Sequence, residues 1–170
     1  MLEVKPLEEN QIPTIVAAFT QIGWHKPSTL FLQYLQEQAN QQRLIWIVTE
    51  QNDFVGYVTL KRDSLYQPFR EKHIPEISDL NVLPYHRKKG VGTLLLETAE
   101  IQAANWGNKV VGIAVGMNAD YGQAQRLYIK RHYIPDGRGL TYQYQQVIAG
   151  HPYPVDDDLT LWFTKELIAV

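Results

Sequence analysis

The segment that most constrains this chain is PYHRKKGVGTLLLETAEIQAANWG, residues 84–107. It follows the strand-like stretch EISDLNVLP and opens with a basic run that reaches Gly90 and Gly92. Apolar residues then recur at helical spacing, which predicts a helix from Gly90 to Asn105. The first backbone N–H groups of a helix lack internal partners and carry partial positive charge. The pattern therefore predicts an anion site, where glycines let a pyrophosphate approach the backbone closely.

The basic side chains of Arg87, Lys88 and Lys89 would add positive charge around such an anion. The segment lacks the Gly-x-x-x-x-Gly-Lys-Ser/Thr pattern of a P-loop. It also lacks the third glycine of the dinucleotide-binding fingerprint, because Leu95 stands at that position. A Gly-x-Gly pattern alone is weak, so the alternative interpretation is a solvated basic turn whose glycines permit packing.

Composition sets the class of protein. The chain has 170 residues, 45% of them hydrophobic, which suits one domain spanning residues 1–170. The formal net charge of −2 makes the basic run a local feature and argues against a nucleic-acid partner. Cysteine is absent, which excludes thiolate catalysis, disulfides and cysteine-ligated zinc. The five histidines show no metal-ligand spacing, so no metal is expected.

We expect neither a secretory signal peptide nor a membrane-spanning segment. The N-terminal stretch MLEVKPLEEN has neither the basic start nor the apolar run of a signal peptide. No apolar run approaches the roughly 20 residues that span a bilayer. We therefore expect a cytoplasmic protein with no membrane partner.

Hydrophobic periodicity predicts seven strands and four helices in the order β-α-α-β-β-β-α-β-α-β-β. Ser28 is the expected N-cap of the second helix, and residues 63–75 are expected to be irregular. The last two strands are predicted at residues 140–147 and 159–167. This order predicts an α/β fold with a mixed, mostly antiparallel central sheet of about seven strands and helices on both faces.

Two motifs give the chain a resemblance to a known family. Residues 87–92, RKKGVG, match the Arg/Gln-x-x-Gly-x-Gly/Ala signature of the GNAT family of N-acetyltransferases. Residues 123–137, QAQRLYIKRHYIPDG, resemble the family's A-x-x-L-Y-x-x-x-G-F helix and following strand. Tyr128 takes the tyrosine position, and His132 stands where glycine is usual. The order of elements resembles the GNAT fold across essentially the whole chain.

The resemblance implies that acetyl-CoA is a cosubstrate and lies where two neighbouring strands splay apart. Its pyrophosphate would meet the backbone amides of residues 88–93, and its pantetheine arm would pair with backbone groups of Leu80 and Val82. The alternative for Leu80 and Val82 is plain core strand. The cofactor-binding residues implied in this way are Leu80, Asn81, Val82, Arg87, Lys88, Lys89, Gly90, Val91, Gly92 and Thr93.

The reaction implied is direct transfer of the acetyl group to an amine, without a covalent enzyme intermediate. Tyr128 is the candidate acid, because a phenol can donate a proton to the departing thiolate. The alternative for Tyr128 is a core aromatic on an amphipathic helix. The backbone N–H near Val82 is the implied donor to the oxyanion that forms when the amine attacks the thioester carbonyl.

Three candidates remain for the base that deprotonates the amine. Glu76 is the first, since its spacing from Arg87 resembles that of the glutamate in histone-acetylating members, and burial raises a carboxylate pKa. Asp79 is the second, although strand alternation places it on the opposite face unless a bulge intervenes. The third is an ordered chain of water molecules. The sequence favours Glu76 and leaves the other two open.

The acceptor is an amine of a small molecule or of a protein, and the sequence does not choose between them. The first two helices, residues 63–72 and residues 151–158 are expected to frame its pocket. Aromatic and acidic side chains there would suit a cationic amine, although the acidic run is also typical of a solvated turn. These side chains are Trp24, His25, Tyr66, Tyr153, Asp156, Asp157 and Asp158. The alternative function is a non-catalytic acyl-CoA-binding sensor of the same fold, and a homodimer is possible in either case.

Overall fold

A computed structural model describes residues 1–168, and the chain divides into two compact units. Unit 1 contains Met1–Arg62 and Ser78–Ala99. Unit 2 contains Asp63–Ile77 and the chain from Glu100 onward. One strand and one helix cross from one unit into the other along the chain.

Unit 1 is built from three complete strands and two complete helices. Its strands follow the order β1-β2-β3-β4, and the β1–β2 and β2–β3 pairs are antiparallel. The unit also holds the end of β4 and the start of α4. The elements are β1 Leu2–Pro6, α1 Ile12–Gln21, α2 Ser28–Ala39, β2 Arg43–Glu50, β3 Asp53–Lys61, β4 Glu76–Val82 and α4 Val91–Asn105.

The core of unit 1 lies where α1 and α2 cover β2 and β3. Phe19 of α1 is fully buried, and its ring meets that of Tyr57 edge-on at 5.8 Å between centroids. Phe31 of α2 meets the same Tyr57 ring at 5.3 Å. The helical spacing of Ile12, Ile15 and Phe19 produces this buried face of α1.

Unit 2 follows the strand order β4-β5-β8-β6-β7. The β4–β5 pair is parallel, with Glu76 opposite Gly112 and Ile77 opposite Ile113, and the other pairs are antiparallel. The Tyr66 ring stacks on Trp162 with centroids 4.2 Å apart and planes 5° from parallel. The further elements are α3 Gln67–Glu71, β5 Val110–Gly116, α5 Gly122–Lys130, β6 Ile134–Tyr142, β7 Gln145–Gln146 and β8 Leu159–Glu166.

The structure differs from the sequence prediction at three places. The described residues contain eight strands, because the chain turns at Gln143 and Tyr144 and divides the predicted strand 140–147 between β6 and β7. The predicted irregular segment 63–75 contains the short helix α3. Ser28 is the first helical residue of α2, and Pro27 occupies the N-cap position. The prediction of a mixed, mostly antiparallel α/β fold is confirmed.

Within residues 1–168, every helix is too short or too polar to cross a bilayer.

Candidate functional site

The anion site predicted from the sequence takes shape at the start of α4. The Leu94 amide donates to the Gly90 carbonyl at 3.0 Å, which is the first hydrogen bond of the helix. The N–H groups of Val91, Gly92 and Thr93 precede that bond, so they have no carbonyl of α4 to pair with. The helix dipole adds partial positive charge at the same place. This end of α4 can therefore bind a phosphate group through backbone amides.

The turn that leads into α4 depends on left-handed backbone geometry. Lys88 has φ +61° and Gly90 has φ +86°. A side chain at Gly90 would meet no heavy atom within 4 Å, so the space beside this residue is open. Glycine adopts the left-handed region without strain, whereas a branched residue does not. Gly90 thus combines an unusual backbone conformation with an open approach to the helix end.

Arg87 is held by two contacts within unit 1. Its Nε donates to the Val82 carbonyl at 3.3 Å, and its guanidinium lies 5.5 Å from the centre of the Trp24 ring. Trp24 in turn stacks on Phe19 at 5.9 Å. Sequence reasoning placed Trp24 in the acceptor pocket and missed this contact, because no motif connects two positions so far apart in the chain. Trp24 orients the Arg87 side chain through a cation–π interaction.

The end of β4 carries the three residues implied for the pantetheine arm. β3 approaches it closely at Gly56, where a Cβ atom would lie 2.7 Å from the Asn81 carbonyl oxygen. The Leu83 amide donates to the Val55 carbonyl at 2.9 Å, which fixes the end of the strand. The Val82 carbonyl accepts the Arg87 bond, and because an oxyanion is bound by N–H donors, the oxyanion role of the Val82 backbone N–H stays a prediction. The roles of Leu80 and Asn81 stay predictions.

Asp79 interrupts β4 with φ +51°, a left-handed conformation that is rare for a residue other than glycine. Simple strand alternation therefore fails at this residue. Its carboxylate accepts hydrogen bonds from Lys26 and Tyr34 at 2.8 Å each and from Tyr57 at 2.5 Å. Asn81 donates to the same carboxylate at 2.8 Å. Four donors, from the α1–α2 loop, α2, β3 and β4, thus converge on one partly buried carboxylate.

The environment of Asp79 decides how it can act. Burial alone would raise the pKa of its carboxyl group, but the Lys26 ammonium and the hydrogen bonds from Tyr57 and Tyr34 hold that pKa below its ordinary value. A carboxylate with a low pKa and four donors takes up a proton poorly. The arrangement therefore favours Glu76 or water over Asp79 as the base.

Glu76 lies in unit 2, at the first position of β4. Its side chain is buried, with 5% exposure, and Oε1 accepts a hydrogen bond from the Ser64 hydroxyl at 2.5 Å. The Ser64 oxygen also accepts from the Tyr66 amide at 3.0 Å. Glu76 is thus a buried carboxylate with a fixed orientation, which is compatible with the predicted role of base.

Tyr128 lies on α5 in unit 2 and is 5% exposed. Burial raises the pKa of its hydroxyl above the ordinary value. Among residues 1–168 its hydroxyl has no hydrogen-bond partner, and its ring lies 5.9 Å from that of Tyr133. A raised pKa weakens Tyr128 as a proton donor but leaves it able to donate a hydrogen bond to a departing sulfur. Its catalytic role stays a prediction.

The acidic run predicted for the acceptor pocket is occupied by internal hydrogen bonds. Asp157 accepts from the Tyr121 hydroxyl at 2.6 Å, and Asp156 accepts from that of Tyr142 at 2.9 Å. The Asp158 carboxylate accepts from the Gln143 amide at 3.4 Å. These contacts favour a structural turn over a cation site.

The family of the chain follows from comparison with known proteins. The model of the acetyltransferase (GNAT) family matches residues 12–133, and the chain belongs to this family. The resemblance found in residues 87–92 and 123–137 is thereby confirmed. Members of the GNAT family use acetyl-CoA. No curated protein matches the chain.

Solved structures share the fold at low sequence identity. An N-acetyltransferase from Staphylococcus aureus Mu50 has a TM-score of 0.73 at 15% identity, with 99% of both chains covered. The protein yncA from Salmonella typhimurium, solved with its cofactor acetyl-CoA, has a TM-score of 0.69 at 16% identity over 98% of this chain and 94% of its own. The ribosomal-protein-S18-alanine N-acetyltransferase from Escherichia coli has a TM-score of 0.67 at 13% identity over 100% of this chain and 96% of its own. These likenesses support the fold and leave the acceptor undefined.

Proposed function

We propose that this protein is an N-acetyltransferase that moves an acetyl group from acetyl-CoA directly to an amine of a small molecule or protein. The observation that carries the proposal is the start of α4, where the amides of residues 91–93 follow an open, basic, glycine-containing turn. Acetyl-CoA supplies an activated thioester and a pyrophosphate. The backbone amides of residues 88–93 hold the pyrophosphate, and Arg87 adds charge that Trp24 orients.

The remaining roles follow the chemistry of amine acetylation. Leu80, Asn81 and Val82 bind the pantetheine arm. Glu76 takes the proton from the attacking amine, directly or through water, because it is a buried carboxylate of fixed orientation. Tyr128 donates a hydrogen bond or proton to the departing sulfur. No metal is assigned a role, and the predicted single domain, cytoplasmic location and possible homodimer stay predictions.

An acceptor screen tests the proposed function. Release of free CoA is measured with a panel of amines, which includes polyamines, amino acids and peptides with free N-termini or lysines. Mass spectrometry then identifies the acetylated product. With at least one amine, release of CoA should be faster than the background hydrolysis of acetyl-CoA without amine. Tight CoA binding without turnover of any amine would instead favour the acyl-CoA-binding sensor.

A variant of Glu76 tests the choice of base. Glu76→Gln keeps the side-chain shape and an oxygen for the Ser64 bond, but it removes the proton acceptor. Loss of a positioned general base lowers kcat roughly 100-fold. Glu3→Gln, at an exposed position of β1, is the control for loss of one negative charge. Unchanged kcat in Glu76→Gln would leave water as the base.

A further inference from the structure

A polar cavity of about 310 Å³ lies within unit 2, between α3 and the β6–β7 hairpin. Aromatic rings, side-chain amides and two guanidinium groups form its walls. The lining residues that matter here are Tyr66, Gln67, Arg70, Arg138, Tyr144 and Gln146. The cavity is large enough for an amino acid side chain or a small organic acid. It belongs to none of the elements that the proposed function assigns to acetyl-CoA.

The two guanidinium groups give the cavity its charge. Nη1 of Arg70 donates to the carbonyls of Ser64 and Leu65 at 3.2 Å each, which fixes the side chain and leaves Nε and Nη2 without a partner among residues 1–168. The Arg138 side chain has no hydrogen bond or ion pair within the same described residues. Glu71, the acidic residue of the lining, accepts a hydrogen bond from Gln67 at 2.6 Å. Two available guanidinium groups suit a planar carboxylate, which arginine binds in a bidentate manner.

The backbone around Arg138 directs its side chain. Gly137 and Gly139 have φ +83° and +74°, and the β6–β8 register shifts between Pro135 and Leu140. Such a bulge interrupts the ladder and re-aims the side chains that it carries. Arg138 is thus placed on the cavity by an irregularity of β6.

The turn of the hairpin adds a second irregularity. Gln143 and Tyr144 have φ +49° and +67°, although a two-residue turn of this kind favours asparagine and glycine. The Tyr144 ring lines the cavity and lies 6.1 Å from the Trp162 ring. Strained residues of this kind cluster at ligand-binding sites. The left-handed turn thus places an aromatic ring in the cavity wall, where a glycine would leave none.

A chain of hydrogen bonds connects the cavity wall to the candidate base. The amide of Tyr66, a lining residue, donates to the Ser64 hydroxyl oxygen, and that hydroxyl donates to Glu76. Arg70 binds the carbonyl of the same Ser64. One short segment of unit 2 therefore fixes both an anchoring guanidinium and the buried carboxylate.

We infer that this cavity binds a carboxylate of the acceptor, so that the acceptor is an amine that also carries a carboxylate. The inference rests on the proposed function, because Glu76 is assigned there as the base. Amino acids and peptides with an acidic group near the reacting amine have this chemistry. Arg138 and Arg70 pair with the carboxylate, and the Gln67 and Gln146 amides border it.

Matched pairs of acceptors, and variants that replace the arginines by uncharged glutamine, test the inference. The acceptors are used in pairs in which one member carries a carboxylate and the other the corresponding carboxamide. The pairs are amino acids with their amides, and short peptides with Glu or Gln in the second position. The carboxylate forms should have kcat/KM about tenfold higher, as one charge-assisted hydrogen bond supplies. Arg138→Gln, and the Arg70→Gln/Arg138→Gln double variant more strongly, should remove this preference by raising KM for the carboxylates. Lys72→Gln, a nearby exposed residue outside the lining, should keep it.

Equal kcat/KM for both forms in the wild type, or a preference that survives in the double variant, would overturn the inference. Calorimetry with L-glutamate and L-glutamine amide tests the carboxylate site separately from the proposed function, since binding is measured without turnover. Glutamate should bind the wild type and Lys72→Gln and should lose at least tenfold in affinity in the double variant. Absence of glutamate binding to the wild type would refute the carboxylate site even if amines are acetylated. Inorganic phosphate that competes as well as glutamate would show a phosphate site instead.

Discussion

The Lys26 ammonium group lies 2.8 Å from Oδ1 of Asp79 and joins the loop between α1 and α2 to the interrupted point of β4. Trp24, two residues earlier in the same loop, contacts the Arg87 guanidinium. Within unit 1, this loop therefore contacts both β4 and the basic turn before α4, which are proposed to bind acetyl-CoA. The packing of the α1–α2 loop consequently helps to hold β4 and the basic turn in position.

Substitution of Asp79 by asparagine should destabilise the protein in a pH-dependent way. The variant loses the charged partner of Lys26, which costs about 2 kcal/mol of unfolding free energy at neutral pH. The folded-state pKa of Asp79 lies below its ordinary value, so the stabilisation is complete above that ordinary value of about 4. It is lost as the pH falls through the folded pKa. Urea unfolding at several pH values should therefore show the two proteins converging in acid, and a constant difference would contradict the assigned ion pair.

Binding of CoA should raise the melting temperature, because a ligand that binds the native state stabilises it by about 2.7 kcal/mol at a concentration 100 times its Kd. Acetyl-CoA and CoA should act alike, since both carry the pyrophosphate that the amides of residues 91–93 are proposed to bind. Pantetheine, which lacks phosphate, should have a much weaker effect. Thermal shift measurements with the three ligands check this, and equal shifts would refute the pyrophosphate assignment.

Gly90→Val should abolish CoA binding while the protein still folds. The branched side chain is strained at φ +86°, and it fills the open space beside the helix end. Gly150→Val is the matched control, because Gly150 has φ +83° and an equally open surrounding in a loop of unit 2. Calorimetry should show loss of CoA affinity in the first variant alone. Retained affinity in Gly90→Val would place the phosphate site elsewhere.

Tyr128→Phe should lower kcat roughly tenfold to a thousandfold, as expected for loss of a positioned proton or hydrogen-bond donor. The ring and its packing remain, and the hydroxyl has no partner among residues 1–168, so stability and CoA affinity should change little. The measurement is kcat with the best acceptor from the screen, together with the melting temperature. Wild-type kcat would remove Tyr128 from the reaction and leave water as the acid.

Tyr133→Phe provides the contrasting control. The Tyr133 hydroxyl donates to the buried Glu100 carboxylate at 2.8 Å, and Arg131 and Lys165 donate to the same group at 2.9 Å each. Removal of this hydroxyl should cost about 1 kcal/mol of unfolding free energy and leave kcat unchanged. The two tyrosines thus separate a role in the reaction from a role in the core.

Local patterns explain what the sequence could predict. The glycines and bases of residues 87–92 are contiguous, so their place between a strand and a helix could be read directly. Helix α1 was equally accessible, because the spacing of Ile12, Ile15 and Phe19 alone defines its buried face. Such features depend on interactions between near neighbours in the chain.

The features that the sequence could not reveal depend on distant residues or on unfavourable local choices. The Asp79 network joins Lys26, Tyr34 and Tyr57, and no spacing rule connects these positions. The β6–β7 turn was missed because Gln143 and Tyr144 are poor turn residues, whose conformation tertiary packing imposes against local preference. The side-chain direction that strand alternation predicts for Asp79 is also not observed, because tertiary packing holds this residue in a left-handed conformation.

The Gln143–Tyr144 turn also bears on attempts to engineer this protein for heat resistance. Glycine at position 144 would relieve the left-handed strain, so a selection for melting temperature alone should enrich it. The same exchange would delete the Tyr144 ring from the wall of the cavity between α3 and the hairpin. Thermostable variants chosen without an activity screen would then have a weakened pocket. The protein with the higher melting temperature would be less suitable for identifying the substrate.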